Sequence, residues 1–248
     1  MKKKINIIPV ENSQISYKTK CAVIDIIREN AVDGKPVKLP NEEELSKRLG
    51  VSRNVLRDVL ISLEKIGYLT RRRSKGTIAN PKIVNATCRL DIEPELFKNI
   101  KACGYKVCVE TQFLGFVFEP DEILGSNEEG YLSAEKVFYA DDVPISYGID
   151  HISSRFTKSI GDNMLQLRTL SHYAFLQKYC NTTMAYSMGH IDVTMAEPWL
   201  KESLNLSDNE PVIVIEDEGY NHDHEMVVHS YMYYKKGALD LKFLRKSW

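Results

Sequence analysis

Between Leu49 and Arg53 the chain offers only Gly50, Val51 and Ser52, and the segments on either side both carry the marks of helices. Upstream, Asn41 followed three residues later by Glu44 is an N-cap with a capping-box partner, opening a short helix through Leu45 to Leu49 that Gly50 terminates. Downstream, Ser52 caps a helix in which Val55, Leu56, Val59, Leu60, Leu63 and Ile66 make one continuous apolar stripe. Arg53, Asn54, Arg57 and Asp58 fall off that stripe, and Gly67 stops the helix. Two short helices joined by so short a link must cross steeply, as in a helix-turn-helix.

The surroundings complete the unit. A helix is expected from Ser16 to Asn30, with Cys21, Val23, Ile24, Ile26 and Ile27 on its apolar face and Asp33-Gly34 as its stop. After Gly67, Tyr68 to Arg72 and Thr77 to Ala79 read as short strands around the tip Arg73-Ser74-Lys75-Gly76, and Asn80-Pro81 ends the run. Three helices followed by a hairpin make a winged helix-turn-helix, placed over residues 1–82.

Charge divides the chain at the same place. The whole sequence holds 33 Lys+Arg against 34 Asp+Glu, but residues 1–82 carry 18 of the cations and 9 of the anions. A basic segment joined to an acidic remainder suits a polyanion-binding module attached to one that avoids polyanions. An apolar content of 43% excludes a disordered chain, and no run approaches the roughly 18 apolar residues of a membrane helix. Met1 to Lys4 are basic, but no sustained apolar stretch or small-residue cleavage site follows, so no secretory signal is expected and a cytoplasmic location is. Cys21, Cys88, Cys103, Cys108 and Cys180 are odd in number and scattered, which fits reduced thiols; Cys103 and Cys108 lack zinc-knuckle spacing.

Residues 83–248 have a different rhythm. Strand-like runs are expected at Val107 to Phe118, Tyr131 to Tyr139, Ile145 to Ile152, Met184 to Val193, Pro211 to Gly219 and Met226 to Tyr234. Helices are expected near Pro94 to Ala102, Leu165 to Tyr179 and Pro198 to Leu204, giving an α+β second domain.

The stretch Leu39-Pro40-Asn41-Glu42-Glu43-Glu44-Leu45-Ser46-Lys47-Arg48-Leu49-Gly50-Val51-Ser52-Arg53-Asn54-Val55-Leu56-Arg57-Asp58-Val59-Leu60, with Leu63 to Leu69 and Lys75-Gly76-Thr77, closely resembles the DNA-binding domain of the GntR family. The resemblance implies that the helix after Ser52 enters the major groove and that the wing reaches the adjacent minor groove. Arg53, Asn54 and Arg57 then present the donors that read guanine and adenine edges. Ser52, Arg53, Asn54, Arg57, Arg72, Lys75 and Gly76 are the candidate DNA contacts. Two positions depart from the family: Glu43 stands where Arg is usual, and Ser74 where Gly is usual. Arg71, Arg72 and Arg73 are candidate phosphate contacts that compensate.

Residues 95–248 resemble the UTRA effector domain of the HutC-type branch. Ala140-Asp141-Asp142-Val143-Pro144-Ile145 is similar to its Ala-Asp-Gly-x-Pro-Ile turn, and Leu204 to Ile213 to its Leu-x-Leu…Gly-x-Pro-Leu segment. The likeness implies a mixed α+β fold related to chorismate lyase, a pocket beside the sheet, and a dimer. Phosphosugar-sensing members place basic residues in the strand before the turn; here that strand offers Lys136 and Phe138, which favours a neutral or cationic effector such as an amine, a nucleoside or an unphosphorylated sugar. Arg155 and Arg168 are further cations in segments the pattern does not place. Lys136, Phe138, Tyr147, Asp150, His229 and Tyr231 are the candidate effector contacts.

The expected function is a sequence-specific, double-stranded operator DNA-binding transcriptional regulator, a repressor, acting as a homodimer on a palindrome under control of a small-molecule metabolite. The rivals are an enzyme of the chorismate lyase fold tethered to DNA and a non-specific DNA-coating protein. No nucleophile-elbow, zincin or P-loop motif occurs, no cofactor is implied, and no enzyme is expected. His222-Asp223-His224-Glu225, with His229 nearby, has metal-ligand chemistry but sits where a solvated hairpin tip belongs, so no metal site is expected.

Overall fold

The structure, a computed structural model, describes residues 12–93, 95–125 and 130–246. The chain divides into two compact units, Met1–Ile92 with Lys242–Trp248, and Glu93–Leu241.

In the first unit, α1 (Asn12–Glu29) precedes a two-residue strand β1 (Val37–Lys38), α2 (Glu42–Leu49) and α3 (Arg53–Lys65). The caps are those the sequence signals: Asn41 accepts the Glu44 N–H at 2.9 Å, Ser52 accepts that of Val55 at 3.2 Å, and Gly50 is left-handed at φ 66°. The capping box is half made, because the Glu44 carboxylate pairs with Arg48. Leu56, Val59, Leu60 and Leu63 are buried against Val23, Ile27 and Leu45, so one stripe of α3 holds the unit together while its other face stays exposed.

The wing is β2 (Leu69–Arg72) and β3 (Gly76–Ala79), and β1 pairs with β3 on the far side, making three strands instead of the expected two. A short helix α4 (Pro81–Val84) follows, capped by Asn80. The unit runs on to Ile92 and takes back residues from Lys242 onward, whereas the sequence reading divided the chain at 82/83. Arg89 is why: its Nη1 donates to the Ile66 carbonyl at 2.9 Å, its Nε reaches Asp91 at 3.0 Å, and its backbone bridges to Lys242. Gly67, left-handed at φ 79°, could not be replaced freely, since a Cβ there would lie 2.2 Å from a Leu244 methyl.

The second unit opens with α5 (Leu96–Ala102); Pro94, where that helix was expected to begin, lies outside the described residues. An antiparallel six-stranded sheet follows. Its strands are β4 (Val107–Val117), β5 (Tyr131–Ala140), β6 (Val143–Ser153), β7 (Tyr186–Met195), β8 (Pro211–Tyr220) and β9 (Met226–Lys235), in the order β4-β5-β6-β9-β8-β7. Asp141 and Asp142, at φ 48° and 68°, form the two-residue turn from β5 to β6, a conformation that short polar side chains tolerate.

One face of the sheet is covered by α6 (Ser154–Thr157), a 3-10 segment Gly161–Arg168 and α7 (His172–Tyr179), around Leu132, Ala134, Ile152, Phe175, Leu176 and Val228. The other face carries α8 (Pro198–Leu204), packed on Val137, Tyr147 and Val212. The single helix expected over Leu165 to Tyr179 is broken: Ser171 accepts the Ala174 N–H and restarts the chain as α7, leaving Thr169 and Leu170 outside both segments. None of the five cysteines is joined in a disulfide among the described residues, and no described helix is long and apolar enough to cross a membrane.

Candidate functional site

At the start of α3, Arg53 and Asn54 are exposed, and Ser52 is exposed while its hydroxyl caps the helix. Arg57 is outward too, but its guanidinium meets Glu42 at 3.1 Å. At the wing tip, Arg72, Arg73, Ser74, Lys75 and Gly76 are exposed, with Gly76 left-handed at φ 79°.

Arg71 departs from its expected role as a free phosphate contact. Strand alternation turns it inward, where its Nε holds Glu64 at 2.8 Å and its Nη1 lies 3.8 Å from Glu42. It ties the wing to α2 and α3. Glu43 pairs with Lys47 at 3.1 Å within α2, an exposed contact.

In the second unit the six effector candidates separate by sheet parity. Lys136, Phe138 and Asp150 line a cavity of about 320 Å³, together with Val109, Gly148, Met232, Phe97 and the segment Arg168–Tyr173. Tyr147, His229 and Tyr231 point to the opposite face, because they sit one residue out of phase with Gly148, Asp150 and Met232. Tyr147 packs edge-on against Trp199 and donates to Glu135, and it belongs to the core under α8.

The cavity wall is mainly apolar with convergent polar groups. Lys136 Nζ donates to the Leu170 carbonyl at 2.8 Å, tying the broken helix to the sheet. Burial pushes the Lys136 ammonium below its ordinary value, and Asp150 partly offsets this. His172 Nδ1 lies 2.8 Å from Asp150, while its Nε2 is buried without a hydrogen-bond partner among the described residues. Burial also pushes the Tyr173 hydroxyl up, with Asp217 and Asp150 adding to it. Of the two unplaced cations, Arg168 reaches the cavity and Arg155 pairs with Glu225. His172 and Met232 had a findable signal only in part: Met232 follows from strand register with Gly148, but nothing in the sequence announces His172.

The hairpin tip at Asn221–Glu225 is a side-chain-braced turn in which Asn221 accepts the N–H groups of Asp223 and Glu225, each at 2.9 Å. His224 there contacts the Tyr186 hydroxyl at 2.7 Å.

Comparison with known proteins agrees with both halves. Residues 25–78 match the family described as bacterial regulatory proteins, gntR family, and residues 123–239 match the UTRA domain. The HTH-type transcriptional repressor NagR of Bacillus subtilis (strain 168) is 22% identical over 184 residues, 73% of this chain and 74% of that protein. The uncharacterized HTH-type transcriptional regulator YcbG of the same organism is 54% identical over 46 residues, 18% of this chain and 20% of that protein. Among solved structures, the possible transcriptional regulator YydK from Bacillus subtilis subsp. subtilis str. 168 superposes with a TM-score of 0.74 at 16% identity, covering 94% of this chain and 98% of that one. PhnF from Mycobacterium smegmatis gives 0.55 at 17% identity over 91% and 98% of the two chains. With its gntR-type helix-turn-helix at 25–78 and its UTRA domain at 123–239, the chain is a DNA-binding transcriptional regulator that carries a ligand-binding effector domain.

Proposed function

We propose that this regulator represses transcription as a homodimer on paired operator half-sites, and that a metabolite bound between Phe138, His172 and Met232 changes its grip on DNA. The observation that carries the reading is a helix α3 locked by Leu56, Val59, Leu60 and Leu63 while Arg53 and Asn54 stay exposed at its start. Ser52, Arg53, Asn54 and Arg57 then contact bases and backbone in the major groove, and Arg72, Lys75 and Gly76 serve the wing.

A second copy of the chain is the partner that suits β7. All ten residues of this edge strand are exposed, among them Met188 at 61% and Val193 at 62%, and an apolar open edge favours association. Two recognition helices also supply the interface that one helix lacks.

The effector is an unphosphorylated metabolite small enough for about 320 Å³, stacking on Phe138 and hydrogen-bonding the unpartnered His172 Nε2. Lys136 is spent on Leu170 and faces Asp150, which leaves Arg168 as the one cavity-wall cation without such an engagement among those described. The reading implies no catalytic step and a cytoplasmic protein.

Footprinting of the DNA upstream of the gene, with sedimentation of the complex, tests the first part: two symmetric protected half-sites are expected. A monomer protecting one asymmetric site, or uniform protection of any DNA, overturns it. Thermal-shift measurements with phosphorylated and unphosphorylated pairs of metabolites test the second part. Preferential stabilisation by the phosphorylated member, lost in Arg168→Ala or Lys136→Ala, overturns the effector class.

A further inference from the structure

The sheet face opposite the cavity carries a second polar constellation. His151 on β6 and His229 on β9 are register partners, and Asp121 reaches both. Its carboxylate lies 2.7 Å from His151 Nδ1 and 2.9 Å from His229 Nδ1. The donor atoms of the three residues all lie within 4.8 Å of one another. Asp121 is held in place by the N–H groups of Ile123 and Leu124, each 2.9 Å from its Oδ1.

His229 faces carboxylates at both ends, since its Nε2 lies 2.9 Å from Glu216. A neutral imidazole has one N–H and one lone pair. One of these contacts therefore sets a lone pair against a carboxylate unless a proton or a metal ion occupies that nitrogen. The His229 side chain is 2% exposed, so water does little to relieve the conflict.

We infer that Asp121 and the Nδ1 atoms of His151 and His229 form a binding site for one divalent transition-metal ion. Two imidazole nitrogens and one carboxylate oxygen suit Zn²⁺ or Co²⁺ and disfavour Mg²⁺ and Ca²⁺, which take all-oxygen shells. With metal–ligand distances of about 2.0–2.1 Å, tetrahedral ligand atoms sit about 3.3 Å apart, so the two observed contacts need to open by about 0.4–0.6 Å. The outer shell is already built: Glu216 is placed to accept the His229 Nε2–H, and the Tyr231 hydroxyl is bonded to Glu216 in turn. A cavity of about 430 Å³, lined by Ile123, Met188, His190, Glu216 and Glu218, adjoins this shell through Glu216.

Titrating the full-length protein, first stripped with a chelator, with CoCl₂ decides the matter. One equivalent is expected to give the visible ligand-field absorption of a low-coordinate N/O site, displaced by one equivalent of ZnCl₂, and to raise the melting temperature. Asp121→Asn, His229→Gln and the milder His151→Gln, each checked for folding by circular dichroism, should lose that absorption, while the His222→Gln/His224→Gln double variant keeps it. Wild-type protein that gives no one-equivalent absorption overturns the site. So does absorption that survives Asp121→Asn and His229→Gln but vanishes in the hairpin-tip double variant.

Discussion

Arg57 directs both Nε and Nη2 at one carboxylate oxygen of Glu42, at 3.2 and 3.1 Å, linking α3 to α2 across their short turn. The Arg57 side chain is 54% exposed, so the pair contributes little to stability, on the order of 0.2–1 kcal/mol. It is easily exchanged for a phosphate or a guanine edge. Arg53→Ala and Arg57→Ala should each cost about 1–3 kcal/mol of operator affinity. Glu42→Gln, by releasing Arg57, should strengthen binding. Fluorescence anisotropy on the footprinted operator measures all three, and unchanged affinity in Arg53→Ala removes α3 from the groove.

Arg72 should behave differently from Arg71. Arg72 is exposed at the wing, so Arg72→Ala should weaken every DNA sequence alike and flatten the dependence of log affinity on log salt by roughly one unit. Arg71→Ala breaks the ion pair with Glu64 and should show first as a lower melting temperature. A salt series with operator and scrambled duplexes, alongside thermal melts, separates the two.

The effector should shift operator affinity by a coupling of about 1–3 kcal/mol, and operator DNA must shift effector affinity by the same factor. Gly148→Ala should weaken effector binding with little effect on DNA, because a Cβ there meets the Met232 methyl at 2.9 Å and Phe138 at 3.2 Å on the cavity floor. Calorimetry with and without operator checks both statements; tight effector binding that DNA leaves unmoved would uncouple the domains.

Cys180 should be silent toward thiol reagents in the folded protein at pH 8, where exposed Cys108 reacts. Burial pushes the Cys180 thiol up to about 11, above the ordinary thiol near 8.5. A raised folded-state value means a contribution present in full below about pH 8.5 and lost as pH rises through about 11. The melting-temperature gap between wild type and Cys180→Ser should therefore narrow over that window.

Leu60→Ala should cost about 2–5 kcal/mol of stability in the first unit, since Leu60 is 1% exposed in its core. Operator binding should fall with it while effector binding persists, as melts and calorimetry would show.

The helix-turn-helix was legible because its caps and stripe are local: Asn41, Ser52, Gly50 and the Leu56-to-Leu63 spacing act within a few residues of themselves. The six strands of the sheet were legible for the same reason, through their alternation. Facing was not. Tyr147 and Asp150 look equally eligible in sequence, and only the register across β6 and β9 sends one to α8 and the other to the cavity. His172, Arg168 and the Asp121–His151–His229 group depend on contacts between residues far apart in the chain, which no local spacing encodes.

Residues from Lys242 onward rejoin the unit that contains α3, beside Arg89 and Gly67. The ribosome makes them after the whole of 93–241, so the unit that begins first is finished last. Until those residues emerge, the nascent chain can hold a complete recognition helix yet lack the segment against Gly67. The bridge between Arg89 and Lys242 and the packing of Leu244 against Gly67 can in this way form only after the sensing half has already been synthesised.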